Sequence, residues 1–125
     1  MTIEDNKSDS MQTDKSSTAH SNECNECTEF AVFEVNKADV AKVVLLSEAL
    51  FSEINAEQHN IVAHQILVKI DNQDSDTDEM CWHLTWLNEA AVKACAKRWK
   101  TYPSATKIEA AVGKKYYYGH FMPIS

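Results

Sequence analysis

Apolar positions along the 125-residue chain fall into two alternating rhythms, one of period two and one near 3.6. Phe30 to Val35 is a short run of aromatic and β-branched residues and predicts a strand. From Asn36 the period lengthens. Asn36 and Asp39 resemble a capping box, and Val40, Val43, Val44, Leu50, Phe51 and Ile54 form a helical stripe running to about Gln58. Ile61 to Ile70 reads as a long strand, and Met80 to Leu87 alternates as a half-buried strand does. The acidic connection Asp71 to Glu79 makes these two an antiparallel hairpin. Asn88 then caps a helix with Val92, Cys95, Ala96 and Trp99 on one face, stopping near Tyr102 because Pro103 disfavours helical geometry before it. Ser104 is placed to cap a short continuation through Ile108 and Val112, closed by Gly113. The aromatic segment Lys115 to Met122 is the final strand.

The order β-α-β-β-α-β implies an α+β, ferredoxin-like sandwich: a four-stranded antiparallel sheet with its helices on one face. Charge then divides the chain. Residues 1–28 carry -4, residues 29–79 carry -8 and residues 80–125 carry +5, for a total of -7. With only six apolar residues, segment 1–28 cannot bury enough surface to offset its ordering entropy and is expected to be a disordered acidic tail before a domain at 29–125. An acidic chain without Lys and Arg clusters interleaved with aromatics argues against nucleic acid as a partner. No apolar run approaches the roughly 20 residues of a membrane span, so no membrane partner is expected. The N-terminal residues lack a basic-then-apolar leader, which makes the cytoplasm the expected location.

One sheet face is left without helices. A face with that many aromatic and aliphatic residues invites a partner, and a twofold dimer supplies one. In element order, in the strand-to-helix passage Trp86-Leu87-Asn88-Glu89-Ala90 and in its aromatic last strand, residues 30 to about 124 resemble the dimeric α+β barrel family. That group includes small antibiotic-biosynthesis-type monooxygenases and stress-responsive barrel proteins. The resemblance implies a homodimer and either of two functions. One is a cofactor-independent monooxygenase acting on an aromatic or polycyclic small molecule. The other is a non-catalytic dimeric module that binds a ligand in the same cavity.

Strand parity suggests where chemistry could lie. Ala31, Phe33 and Val35 share a face opposite Phe30, Val32 and Glu34. Met80, Trp82, Leu84 and Trp86 oppose Cys81, His83, Thr85 and Leu87, while Tyr116, Tyr118, His120 and Met122 oppose Lys115, Tyr117, Gly119 and Phe121. If the more polar sets face away from the helices, Glu34, His83, Tyr118 and His120, joined by His64, line a cavity between the sheet and a dimer partner. Glu34, His83 and His120 are the candidate catalytic groups, since a carboxylate beside imidazoles can act as general base and proton shuttle. His64, Trp82, Trp86 and Tyr118 are the candidate ligand contacts. The plain alternative is that these polar groups do nothing beyond solvation and hydrogen bonding.

Other motifs point elsewhere less well. Cys24-Asn25-Glu26-Cys27 is a C-x-x-C without a second close pair, because Cys81 and Cys95 are separated by thirteen residues and sit on different elements; idle thiols are expected, with no metal. Asp74, Asp76 and Asp78 begin like a calcium loop, yet Glu79 replaces its glycine and Thr85 its last carboxylate. With two glycines in the chain there is no phosphate-cradling loop, and no cofactor is expected.

Overall fold

The computed structural model describes residues 25–71 and 73–125. Strand β1 (Cys27–Asn36) leads through one 3-10 turn into helix α1 (Val40–Ile54). The hairpin of β2 (Ile61–Val68) and β3 (Thr77–Trp86) follows, then α2 (Glu89–Arg98), a second 3-10 turn (Trp99–Thr101), α3 (Pro103–Ala111) and β4 (Val112–Phe121). The strands form one antiparallel sheet in the order β2-β3-β1-β4, the ferredoxin-like arrangement. Residues 1–24 of the expected tail lie outside the described residues, as does the Cys24 half of the C-x-x-C. Cys27 belongs to the fold: it is buried at the start of β1, and its Sγ lies 3.1 Å from Met122 Sδ.

The core lies between the sheet and the helices. On β1, Cys27, Glu29, Ala31, Phe33 and Val35 are buried while the residues between them are only half-buried, and on β3 Met80, Trp82, Leu84 and Trp86 are buried in the same alternation. α1 contributes Val43, Ser47, Leu50, Phe51 and Ile54. Buried polar groups in this layer are satisfied: the Trp82 indole N–H donates to Ser47 Oγ at 3.0 Å, and Ser47 donates to the Val43 carbonyl at 2.7 Å.

Helix ends depart from the expected caps. Asn88 does cap α2, accepting from the Ala91 N–H at 2.8 Å. Neither Asn36 nor Asp39 accepts a capping hydrogen bond through its side chain. Pro103 takes the first turn of α3, and Ser104 sits inside it, buried. There Glu53 of α1 reaches across, accepting from the Ser104 backbone N–H at 3.1 Å and from its hydroxyl at 2.6 Å, so that one carboxylate ties α1 to the start of α3. Gly113 does not end a helix. α3 passes directly into β4, and Gly113 leaves room for the end of the Glu34 side chain, which accepts from the Lys114 N–H.

Candidate functional site

Register decides which β4 side chains reach the core. Residues opposite each other on paired strands share a face, and Glu29 pairs with His120, Ala31 with Tyr118, Phe30 with Gly119 and Val32 with Tyr117. Tyr118 and His120 therefore stand on the helix side with buried Glu29 and Ala31. Tyr117, Gly119 and Phe121 fall on the open side. Phe33 pairs with Lys115, so irregularities in β4 between the Val32 and Phe33 partners and again before Val112 turn Lys115 to the helix side as well.

The helix side holds a cavity of about 440 Å³. Its walls are Ala31, Phe33, Trp82, Leu84 and Trp86 from the sheet, Leu50, Phe51 and Ile54 from α1, Val92, Cys95 and Ala96 from α2, Trp99 from the turn and Ile108 from α3. Its polar groups are Glu29, Cys95, Glu109, Lys115, Tyr118 and His120, with Tyr117 reaching its rim from the neighbouring position on β4. A largely apolar concavity with a few convergent polar groups is the usual form of a small-molecule site.

Glu29 organises its polar end. The residue is 3% exposed, and its Oε1 accepts from the Trp86 indole N–H at 2.9 Å and meets His120 Nε2 at 3.0 Å. A buried carboxylate needs such partners to stay ionised. With Glu29 charged, the imidazole donates through Nε2–H, which leaves Nδ1 as its basic nitrogen. Tyr118 packs edge-on against the His120 ring at 5.1 Å. The residue is 66% exposed, and its phenol is pushed up by partial desolvation first and then by the charge of Glu29 and the proximity of Cys95, so it keeps its O–H as a donor at neutral pH. Burial, with Glu29 adding to it and Arg98 opposing, pushes the Cys95 thiol up to about 11; it is protonated and a poor nucleophile.

The single cluster expected from parity does not form. His120, Tyr118, Trp82 and Trp86 line the cavity, but that cavity lies between the sheet and the helices of one chain and not between the sheet and a partner. Glu34 and His83 are on the opposite face. Glu34 accepts from the Lys114 N–H at 3.2 Å, and His83 stacks on Phe30 with ring centroids 4.8 Å apart, its Nδ1 3.2 Å from Gln65 Oε1. Neither lines the cavity. His64 is on the helix side but beyond the cavity, paired with Glu48 at 2.8 Å and set against Phe51. The physical reason is that polarity does not mark the solvent face here: the buried carboxylate gives polar side chains a place under the helices. Glu29 itself is absent from the sequence-based candidates because the strand was expected to begin at Phe30. The alternation Cys27, Glu29, Ala31, Phe33, Val35 was the signal that could have found it.

No family model matches the chain, and no curated protein matches it. Solved structures do. A single-residue variant of SnoaB, a cofactor-independent oxygenase from Streptomyces nogalater, matches with a TM-score of 0.60 at 21% identity, over 81% of this chain and 95% of that one. A conserved protein from Methanosarcina mazei matches with 0.57 at 10% identity, over 82% and 96%. A dimeric ferredoxin-like protein from an uncultured marine organism matches with 0.53 at 12% identity, over 81% and 90%. The likeness is one of fold, and it spans nearly the whole of each of those chains.

Proposed function

We propose that the chain is a small cofactor-independent oxygenase-like enzyme that holds an aromatic or polycyclic molecule in the helix-side cavity. The observation that carries this reading is the Glu29 carboxylate, buried at the polar end of an apolar pocket and bonded to both Trp86 and His120. In that arrangement His120 Nδ1 takes a proton from an acidic C–H beside an aromatic ring, and Glu29 balances the imidazolium that results. Trp82, Trp86 and Phe33 offer faces for the ring. The electron-rich carbanion then reduces dioxygen; one oxygen atom becomes the product's carbonyl and the other leaves as water, taking the two hydrogens lost from carbon. The fold shared with a cofactor-independent oxygenase supports this reading.

The test is oxygen uptake with a panel of two- and three-ring aromatics bearing an acidic C–H, with mass spectrometry of products formed under isotopically labelled dioxygen. Turnover should place one labelled atom in the product, and His120→Ala and Glu29→Gln should each lower kcat by about a hundredfold. Retention of activity within about threefold in both variants would remove the pair from the mechanism. Binding without turnover across the panel would make the chain a ligand-binding module.

We propose further that the open sheet face pairs two copies. Half-buried Phe30 and Val32 lie there beside exposed Leu67, Tyr117 and Phe121, a patch of the kind that monomers seldom leave in water. Phe121→Asp should convert a dimer to a monomer in sedimentation; a wild-type monomer would remove the idea.

A further inference from the structure

The cavity is electrostatically one-sided. In its lining stands the buried carboxylate of Glu29, and both hydrogen bonds it receives converge on Oε1. Among the described residues that line the cavity, Lys115 is the one lysine or arginine, and Glu109 holds its Nζ at 2.5 Å. Of the three tryptophans that line the cavity, two have their indole N–H turned to protein acceptors: Trp86 to Glu29, and Trp82 to Ser47. The same negative field is felt by neighbouring acids, since the charge of Glu29 helps raise both Cys95 and Tyr118. A ligand that brought a full negative charge into this space would sit beside an anion, in a low-dielectric surround, with no free cation to meet it.

From this arrangement we infer that the cavity admits aromatic weak acids in their neutral, protonated form and turns away ligands of the same shape that carry a full negative charge, with Glu29 setting the selection. The inference rests on the reading of the cavity as the ligand site and adds to it the charge class of the ligand. A neutral hydroxyl can donate to Glu29 or to the imidazole and bury its rings against the tryptophans. A carboxylate of equal size has no proton to give to Glu29; it can bury its rings and accept from the Tyr118 O–H, but it brings its charge beside that of Glu29.

Calorimetric titration of 2-naphthol and 2-naphthoate near neutral pH tests this, because the first is then neutral and the second ionised. Wild-type protein should bind the naphthol at least about tenfold more tightly, the equivalent of one unit in the logarithm of Kd. Glu29→Gln keeps the shape and an acceptor oxygen while removing the charge, and should narrow the ratio to within about threefold. Equal binding of the two compounds by wild type would overturn the charge selection and leave the cavity as a ligand site. Failure of both compounds to bind would remove the ligand site itself. A ratio unchanged in Glu29→Gln of native circular dichroism would take the selection away from that residue.

Discussion

The two faces of the sheet carry similar side chains and differ in what surrounds them. Under the helices, the His120 imidazole meets a carboxylate that is itself buried and held by an indole N–H. On the open face, the His83 imidazole lies flat on Phe30, and Gln65, a neutral amide, is its hydrogen-bond partner. Both are histidines among aromatic rings. Only the first has a charge next to it that can compensate an added proton, and only the first adjoins a cavity. The residue type therefore says little until the partner and its shielding are known, and shielding is set here by which side of a strand faces α1, α2 and α3.

The largest expected contrast between the faces is in packing. Met80 is fully buried on the helix side, and Leu67, opposite the neighbouring Cys81, is 43% exposed on the open side. Met80→Ala should lower unfolding free energy by about 2 to 5 kcal/mol, and Leu67→Ala by less than about 1 kcal/mol, in urea denaturation at low protein concentration. A loss at Leu67 that grows with protein concentration to match that at Met80 would mean that a second copy covers the open face, and would erase the contrast.

A smaller effect reads the helix side through pH. Both states of the chain hold the Cys95 proton below the ordinary thiol value of 9.0, so this group adds no pH dependence there. Above it the unfolded chain releases the proton while the folded chain, with the thiol pushed up to about 11, retains it, and stability falls as pH rises. The full loss between pH 9 and 11 is about 2 to 3 kcal/mol from this residue. Urea midpoints across that window should fall less steeply in Cys95→Ala than in wild type. Parallel curves would show that the thiol is less shielded than the cavity geometry implies.

Much of this contrast was legible in the residue pattern. Strand alternation placed Ala31, Phe33 and Val35 with Met80, Trp82, Leu84 and Trp86 as sets, and these are the buried sets. The element order led to the ferredoxin-like sheet, and Asn88 marked a true helix start. The candidate site was half legible. Tyr118 and His120 were singled out, and so were Trp82 and Trp86, but they were assigned to different faces when they share one. Two physical facts stood in the way. The bulges in β4 break the period-two rule, so Lys115 and Tyr117, two apart, lie on opposite faces. And the strand was expected to begin at Phe30, one residue after Glu29, whose donors lie 57 and 91 positions away and leave no local signal.

The smallest expected effect isolates the hydrogen bond that makes the helix side distinctive. Trp86→Phe keeps an aromatic ring in the wall and deletes the N–H that donates to Glu29. The carboxylate, 3% exposed, would then keep His120 as its remaining donor, and a buried charge short of one partner destabilises by about 1 to 3 kcal/mol. His83→Phe is the matching change on the open face. It preserves the stack on Phe30 and gives up only a contact to Gln65 that lies at the exposed surface, so stability should move by about 0.5 kcal/mol or less. Urea denaturation of the two variants beside wild type, at protein concentrations low enough to keep single copies, separates them. If His83→Phe loses as much as Trp86→Phe, the partner of the imidazole is not what distinguishes the faces, and burial of the open face by another copy becomes the better account of the loss at His83.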